Sequence, residues 1–107
     1  RGRRGMAAER KDDGMQKVSF EVFGKVQGVF FRKHTCATAK KLGLVGWVMN
    51  TPRGTVLGEA QGPARGVAQL KHWLAHTGSP KSRIERAEFK GEGPVSRLAY
   101  TSFKVRK

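Results

Sequence analysis

The sequence predicts an α+β domain, an antiparallel sheet with two helices on one face. Three observations predict it. Alternation of apolar and polar residues, the mark of half-buried strands, recurs over 17–23 and 98–105. Two segments, 33–42 and 64–76, place apolar residues at helical spacings of three and four. Between them lie two apolar runs joined by a turn rich in Asn, Pro and Gly. The chain has 107 residues, enough for one domain with one core, and no internal repeat is visible.

Residues 1–16 carry five basic side chains against Glu9, Asp12 and Asp13, with Met6 and Met15 the only large apolar residues. They read as a disordered basic extension or a cloning remnant, and residues 17–107 as the folded domain. Lys17 opens the first strand, which runs to Phe23. The first helix sets Phe31, Thr35, Thr38 or Ala39, and Leu42 along one stripe, and Gly43 stops it. Residues 44–49 form a mostly apolar strand and residues 50–54 a turn. Residues 55–61 complete a hairpin. Gly62 and Pro63 break it, and Pro63 suits the first turn of a helix whose face holds Val67, Leu70 and Leu74 beside Trp73. A strand follows over 83–89, a loop over 91–94, and a last strand over 98–105. The order βαββαβ, with one further strand from the C-terminal part, is the ferredoxin-like split βαβ arrangement.

The stretch Gly24, Lys25, Val26, Gln27, Gly28, Val29, Phe30, Phe31, Arg32 joins the first strand to the first helix. Two glycines four apart permit a tight loop whose backbone N–H groups turn inward. The helix start leaves further N–H groups free and favours an anion through its dipole. Arg32 adds a bidentate fork suited to phosphate. The local chemistry is an oxyanion cradle for a phosphoryl group. It is not a Walker loop, since Gly-Lys-[Ser/Thr] is missing, nor Gly-x-Gly-x-x-Gly.

Net charge is +14, most of it on residues 17–107. That admits either a nucleic-acid partner or a surface that concentrates small anions. Cys36 is the only cysteine, so there is no internal disulfide, which suits a reducing, cytoplasmic setting. It reads as a small structural residue. His72 and His76 stand four apart on a helix, a metal-like spacing, but no acid lies beside them, and with His34 they read as surface residues. No stretch is long and apolar enough for a membrane span.

The residues from Gly24 to Arg32, then Gly43-Leu-Val-Gly-Trp-Val-Met-Asn50, Gly54-Thr-Val56, Gln61-Gly-Pro63 and Gly78-Ser-Pro80, resemble acylphosphatase. The resemblance covers residues 18–105. Vertebrate-type members are the nearest match, and the wording near Phe31-Arg-Lys-His-Thr35 is similar to the common (erythrocyte) rather than the muscle type. The resemblance implies hydrolysis of small acyl phosphates to carboxylate and inorganic phosphate, with no metal, no cofactor and no covalent intermediate. It implies that Arg32 binds the phosphoryl oxygens, that Asn50 orients the attacking water, and that the loop amides from Gly24 to Phe30 hold the phosphate. Cys36 departs from the pattern, where a polar residue is common, and is expected to lie away from the site. An acyl phosphate is already activated, so charge neutralisation and an in-line water matter more than a strong base. Asn50 cannot be a general base, but its carbonyl can accept a hydrogen bond from water.

The expected partners are a small acyl phosphate and inorganic phosphate as product and inhibitor. No nucleic acid is required, no membrane is involved, and the expected state is a monomer. Two other readings remain. An RNA-recognition module shares the fold, but residues 55–61 carry no aromatic and the Lys/Arg-Gly-Phe/Tyr-Gly/Ala-Phe-Val pattern is absent. The other is an anion-binding regulatory domain without turnover, against which the presence of both Arg32 and Asn50 argues.

Overall fold

The computed structural model describes residues 14–107. Seven elements follow in order: β1 (Met15–Lys25), α1 (Phe31–Lys41), β2 (Val45–Asn50), β3 (Val56–Pro63), α2 (Ala64–His76), β4 (Arg83–Pro94) and β5 (Phe103–Arg106). The strands form one sheet in the order β4-β1-β3-β2-β5. Among the described residues no helix is long and apolar enough to cross a membrane.

β1 lies between β3 and β4 and pairs antiparallel with both. Its alternation fixes which face meets the helices. Val18, Phe20 and Val22 are buried with Val48, Val56, Ala60 and Phe103 from the other strands. Phe31 and Ala39 of α1, and Val67, Leu70 and Leu74 of α2, close this core from one side. Thr35, expected in the α1 stripe, is also buried there. Trp73 packs at the edge, its ring centroid 5.5 Å from that of Phe31. The fold is therefore the expected α+β sandwich with both helices on one face.

Several boundaries differ from expectation. β3 runs through Gly62 and Pro63, expected to break it, because both pair with β1. β1 begins at Met15, because Met15 and Gln16 pair with Pro63 and Gly62. The basic extension expected over 1–16 otherwise falls on residues 1–13, outside the described residues. β4 runs on to Pro94 through the expected loop over 91–94. Gly93 and Pro94 still pair with Lys17 and Gln16, and an extra β4 residue between the Lys17–Gly93 and Ser19–Lys90 pairs absorbs the irregular spacing. The last strand spans only Phe103–Arg106, not 98–105.

The sheet is also mixed rather than wholly antiparallel, since β5 pairs parallel with β2. The connection explains it. β4 ends at the sheet end where β2 starts, so a chain crossing to the far edge must return in the direction of β2. The crossing segment lies on the sheet face away from the helices. There the Ala99 N–H donates to Gln61 Oε1 at 2.8 Å, Tyr100 Oη donates to Glu59 Oε1 at 2.6 Å, and Trp47 Nε1 donates to Tyr100 Oη at 3.2 Å. Ala99 and Tyr100 thus bond to side chains of the sheet instead of the strand ladder, and backbone bonding to β2 begins at Ser102, whose carbonyl accepts from the Gly46 N–H at 3.0 Å. The Glu59 carboxylate and burial hold the Tyr100 proton, raising that phenol above its ordinary 10.0.

Candidate active site

β1, β2 and β5 run in one direction, so their C-terminal ends share one end of the sheet. That end carries the loop into α1, Asn50 as the last residue of β2, and Arg106 as the last residue of β5. The topology alone thus assembles groups from three separated segments.

The chain leaves β1 through Gly24, at φ 129°. A Cβ there would lie 2.1 Å from the Arg83 carbonyl oxygen, so only glycine fits against β4. Gly28 has open space around it, and its requirement is the backbone angle itself, φ 73°. Phe30 follows at φ 58°, the one non-glycine residue with positive φ among those described. It is the N-cap of α1 and supplies no side-chain cap, and the first turn contains no acid. The helix start therefore remains open to an anion. The N–H groups of Gln27, Gly28, Val29 and Phe30 donate to no backbone carbonyl among the described residues.

Arg32 stands in the first turn of α1, and its Nη1 donates to the Arg106 carbonyl at 3.1 Å. That bond anchors one arm of the guanidinium to β5. Asn50 is half-buried, and its Oδ1 is buried without a hydrogen-bond partner among the described residues. A buried oxygen left unpaired is costly, and an incoming donor would relieve it.

A cleft of about 640 Å³ joins these groups, bordered by Val26, Gly28, Phe30, Arg32 and Asn50. Lys33 and Lys40 add positive charge at its rim. The rest of the expected cradle does not border it. Gly24 and Lys25 are the end of β1, opposite Ile84 and Arg83. The Val29 side chain belongs to the core. Cys36, expected to lie away from the site, does border the cleft, one helical turn beyond Arg32. Its thiol donates to the Phe103 carbonyl at 3.4 Å.

Gln27 has a side-chain role that composition did not reveal. Its Nε2 donates to the Thr51 carbonyl at 2.9 Å and the Thr55 carbonyl at 2.8 Å, clamping the turn that follows Asn50. The same turn closes through the Thr51 N–H and the Thr55 carbonyl at 2.9 Å. The two threonine hydroxyls lie 2.6 Å apart, and Thr55 Oγ1 donates to Glu21 Oε2 at 2.6 Å. Arg53 pairs with that carboxylate oxygen too. The Thr55 hydroxyl first, then Arg53, holds Glu21 below its ordinary 4.5. The signal in the sequence was the pair of threonines bracketing the turn, Thr51 and Thr55, with a carboxylate on the neighbouring strand.

His34, His72 and His76 are exposed, and none borders the cleft. The His72 and His76 rings lie 4.6 Å apart, centroid to centroid. Among the described residues no three His, Cys, Asp or Glu side chains gather as metal ligands would.

The sequence profile of the family described as Acylphosphatase matches residues 18–105. Acylphosphatase-1 of Gallus gallus is 57% identical over 95 residues, 89% of this chain and 96% of that protein. Acylphosphatase-2 of Rattus norvegicus is 53% identical over 92 residues, covering 86% and 95%. Among solved structures, an acylphosphatase from Coxiella burnetii superposes with a TM-score of 0.78 at 32% identity, covering 87% of this chain and 94% of that one. One from Bacillus subtilis gives 0.79 at 29% identity, covering 86% and 99%.

Proposed function

The chain belongs to the acylphosphatase family and hydrolyses acyl phosphates, and from that premise we propose how its residues do so. The phosphoryl group sits on the free N–H groups of Gln27 to Phe30 and the start of α1, with Arg32 completing the cradle. These donors neutralise charge on the phosphoryl oxygens, as the transition state needs. The Asn50 Oδ1 accepts a hydrogen bond from a water and aims it at phosphorus. The water oxygen forms the new P–O bond in line. The bond from phosphorus to the acyl oxygen breaks, and the carboxylate leaves with the electron pair. The water's proton passes to the phosphate product or to solvent. A carboxylate is a good leaving group, so the step requires no general acid, no metal and no covalent enzyme intermediate.

The observation that carries this reading is the buried, unpartnered Asn50 Oδ1 in the same cleft as Arg32. It is an acceptor without a donor at the place where a water must be held. Inorganic phosphate fits the same cradle, so it inhibits competitively. The enzyme acts as a cytoplasmic monomer on small acyl phosphates and requires no nucleic acid.

The test is hydrolysis of benzoyl phosphate in oxygen-18-labelled water, with and without a chelator. The label should enter phosphate, and the rate should ignore the chelator. Label in benzoate would place the attack at the carbonyl carbon, and loss of activity with chelator would reintroduce a metal.

A further inference from the structure

We propose that the cleft reads the acyl half of its substrate as an apolar group, through Phe30 and Val105. The favoured substrates are then acyl phosphates with an aryl or multi-carbon alkyl chain, over acetyl phosphate or chains that end in a charge. The inference rests on the cleft being the acyl-phosphate site.

Three large apolar residues are exposed among those described: Met15 at 40%, Phe30 at 71% and Val105 at 41%. Single exposed apolar residues are ordinary on a protein surface. Here, however, two of the three border one cleft, and it is the cleft of Arg32 and Asn50. They come from distant segments of the chain, one before α1 and one in β5. Ala37 and Cys36 line the same cleft, so its wall beyond the phosphoryl donors is mainly carbon and sulfur.

Folding does not account for Phe30. Its φ of 58° is a conformation that an aromatic residue occupies at a cost. Its ring gains little burial in return. Asparagine would tolerate the angle better and suit the exposure better. A residue unfavourable on both counts, at the rim of a reaction site, is explained by contact with a ligand. Val105 has a similar position. It follows Phe103 by two residues and so shares its sheet face, yet Phe103 is buried and Val105 is not. A planar or alkyl acyl group between these side chains would cover both.

Lys33 and Lys40 are the competing readers. The Lys33 ammonium lies 5.9 Å from the centroid of the Phe30 ring. Both lysines are exposed at the rim, where they attract any anionic substrate and discriminate little between acyl groups.

The experiment compares kcat/KM for acetyl, benzoyl and succinyl phosphate in the wild type, Phe30→Asn and Val105→Ser. The wild type should favour benzoyl over acetyl phosphate by about tenfold, the scale of modest apolar contacts in an open site. Each variant should cut that ratio about fivefold, mainly through a raised KM for benzoyl phosphate. Phe30→Asn should also melt at or above the wild-type temperature, since it relieves the backbone. An unchanged ratio in both variants overturns the proposal. So does a wild-type preference for succinyl phosphate, which would assign acyl recognition to Lys33 and Lys40. Failure of the wild type to turn over any of the three would overturn the site reading itself, and is a distinct outcome.

Discussion

The side-chain amide of Gln27 donates to the Thr51 carbonyl at 2.9 Å, tying the loop before α1 to the turn after Asn50. Arg32 follows that loop and Asn50 precedes that turn, so this side chain ties together the two segments that carry the proposed site residues. A second bond to the Thr55 carbonyl makes the tie rigid. Gln27→Leu removes both donated bonds, while the Thr51 carbonyl keeps the Gly54 N–H at 3.2 Å and the Thr55 carbonyl keeps the Thr51 N–H at 2.9 Å. It should cost about 1–3 kcal/mol of stability, the net worth of two hydrogen bonds. Turnover should fall about tenfold or more, with KM changing less, because misplacement acts on the reacting geometry. Gln27→Glu should fare no better, since a carboxylate cannot donate. Thermal melts beside steady-state kinetics check both.

The architecture was legible in the sequence where periodicity and burial coincide. Val18, Phe20 and Val22 alternate and are all buried. The α1 stripe through Phe31, Thr35 and Ala39 faces the core. The parallel pairing of β5 was not legible, because strand direction depends on where a connection crosses and not on local pattern. Residues 98–102 alternate like a strand, yet the Tyr100 hydroxyl and the Ala99 N–H bond to side chains of β3. In the candidate site, Arg32 and Asn50 were legible from the loop and the family resemblance. Gln27 was visible only as a loop residue, since its partners lie 24 and 28 positions away. Cys36 was placed away from the site because helix phase alone does not say where a cleft ends.

Trimming the N-terminus should be tolerated as far as Gly14 and no further. The Gly14 carbonyl accepts from the Ala64 N–H at 2.9 Å, and the Met15 carbonyl from the Val95 N–H at 3.0 Å. A chain starting at Gly14 should keep turnover and melting temperature. A chain starting at Gln16 loses both bonds and the first β1 pair, and should melt about 5 °C lower or more. Equal melting of the two chains would mean that the start of β1 contributes nothing.

Stability should depend on pH through Glu21 at the acid end and Tyr100 at the alkaline end. Glu21 has a folded pKa below its ordinary 4.5, chiefly through the Thr55 hydroxyl. Its contribution is therefore complete above the unfolded value and is lost as pH falls through the folded one. Tyr100 is raised above its ordinary 10.0, chiefly by Glu59, so its contribution is complete below that value and is lost as pH rises through the folded one. The melting difference between wild type and Glu21→Gln should shrink from about pH 6 to about pH 3. The difference for Tyr100→Phe should hold near neutrality and shrink only above about pH 10.

Arg32→Lys should fail nearly as badly as Arg32→Ala. One guanidinium nitrogen is held by the Arg106 carbonyl, which leaves the remaining donors of a planar fork directed by that anchor. An ammonium is a point charge and cannot bond the carbonyl and chelate a phosphoryl group in one plane. The loss should appear in phosphate affinity as well as in turnover, since the cradle holds ground state and transition state alike. A lysine variant with near-normal kinetics would exclude the bidentate role.

Asn50→Ala should separate chemistry from stability. The proposed partner of Oδ1 is the water and not the phosphate, so turnover should fall about a hundred- to a thousandfold, the usual effect of removing one positioned polar group. Phosphate should still inhibit, with an affinity changed by no more than a few-fold. The melting temperature should hold or rise. Oδ1 is a buried acceptor without a donor among the described residues, so alanine removes an unmet hydrogen-bonding need. That exchange of stability for activity is expected where a polar group is kept ready for a ligand. The discriminating measurement is a melt of the variant with and without saturating phosphate, beside its kinetics. A marked loss of stability without ligand would mean that Oδ1 serves the fold. Loss of phosphate binding with normal turnover of bound substrate would move Asn50 from the water to the cradle.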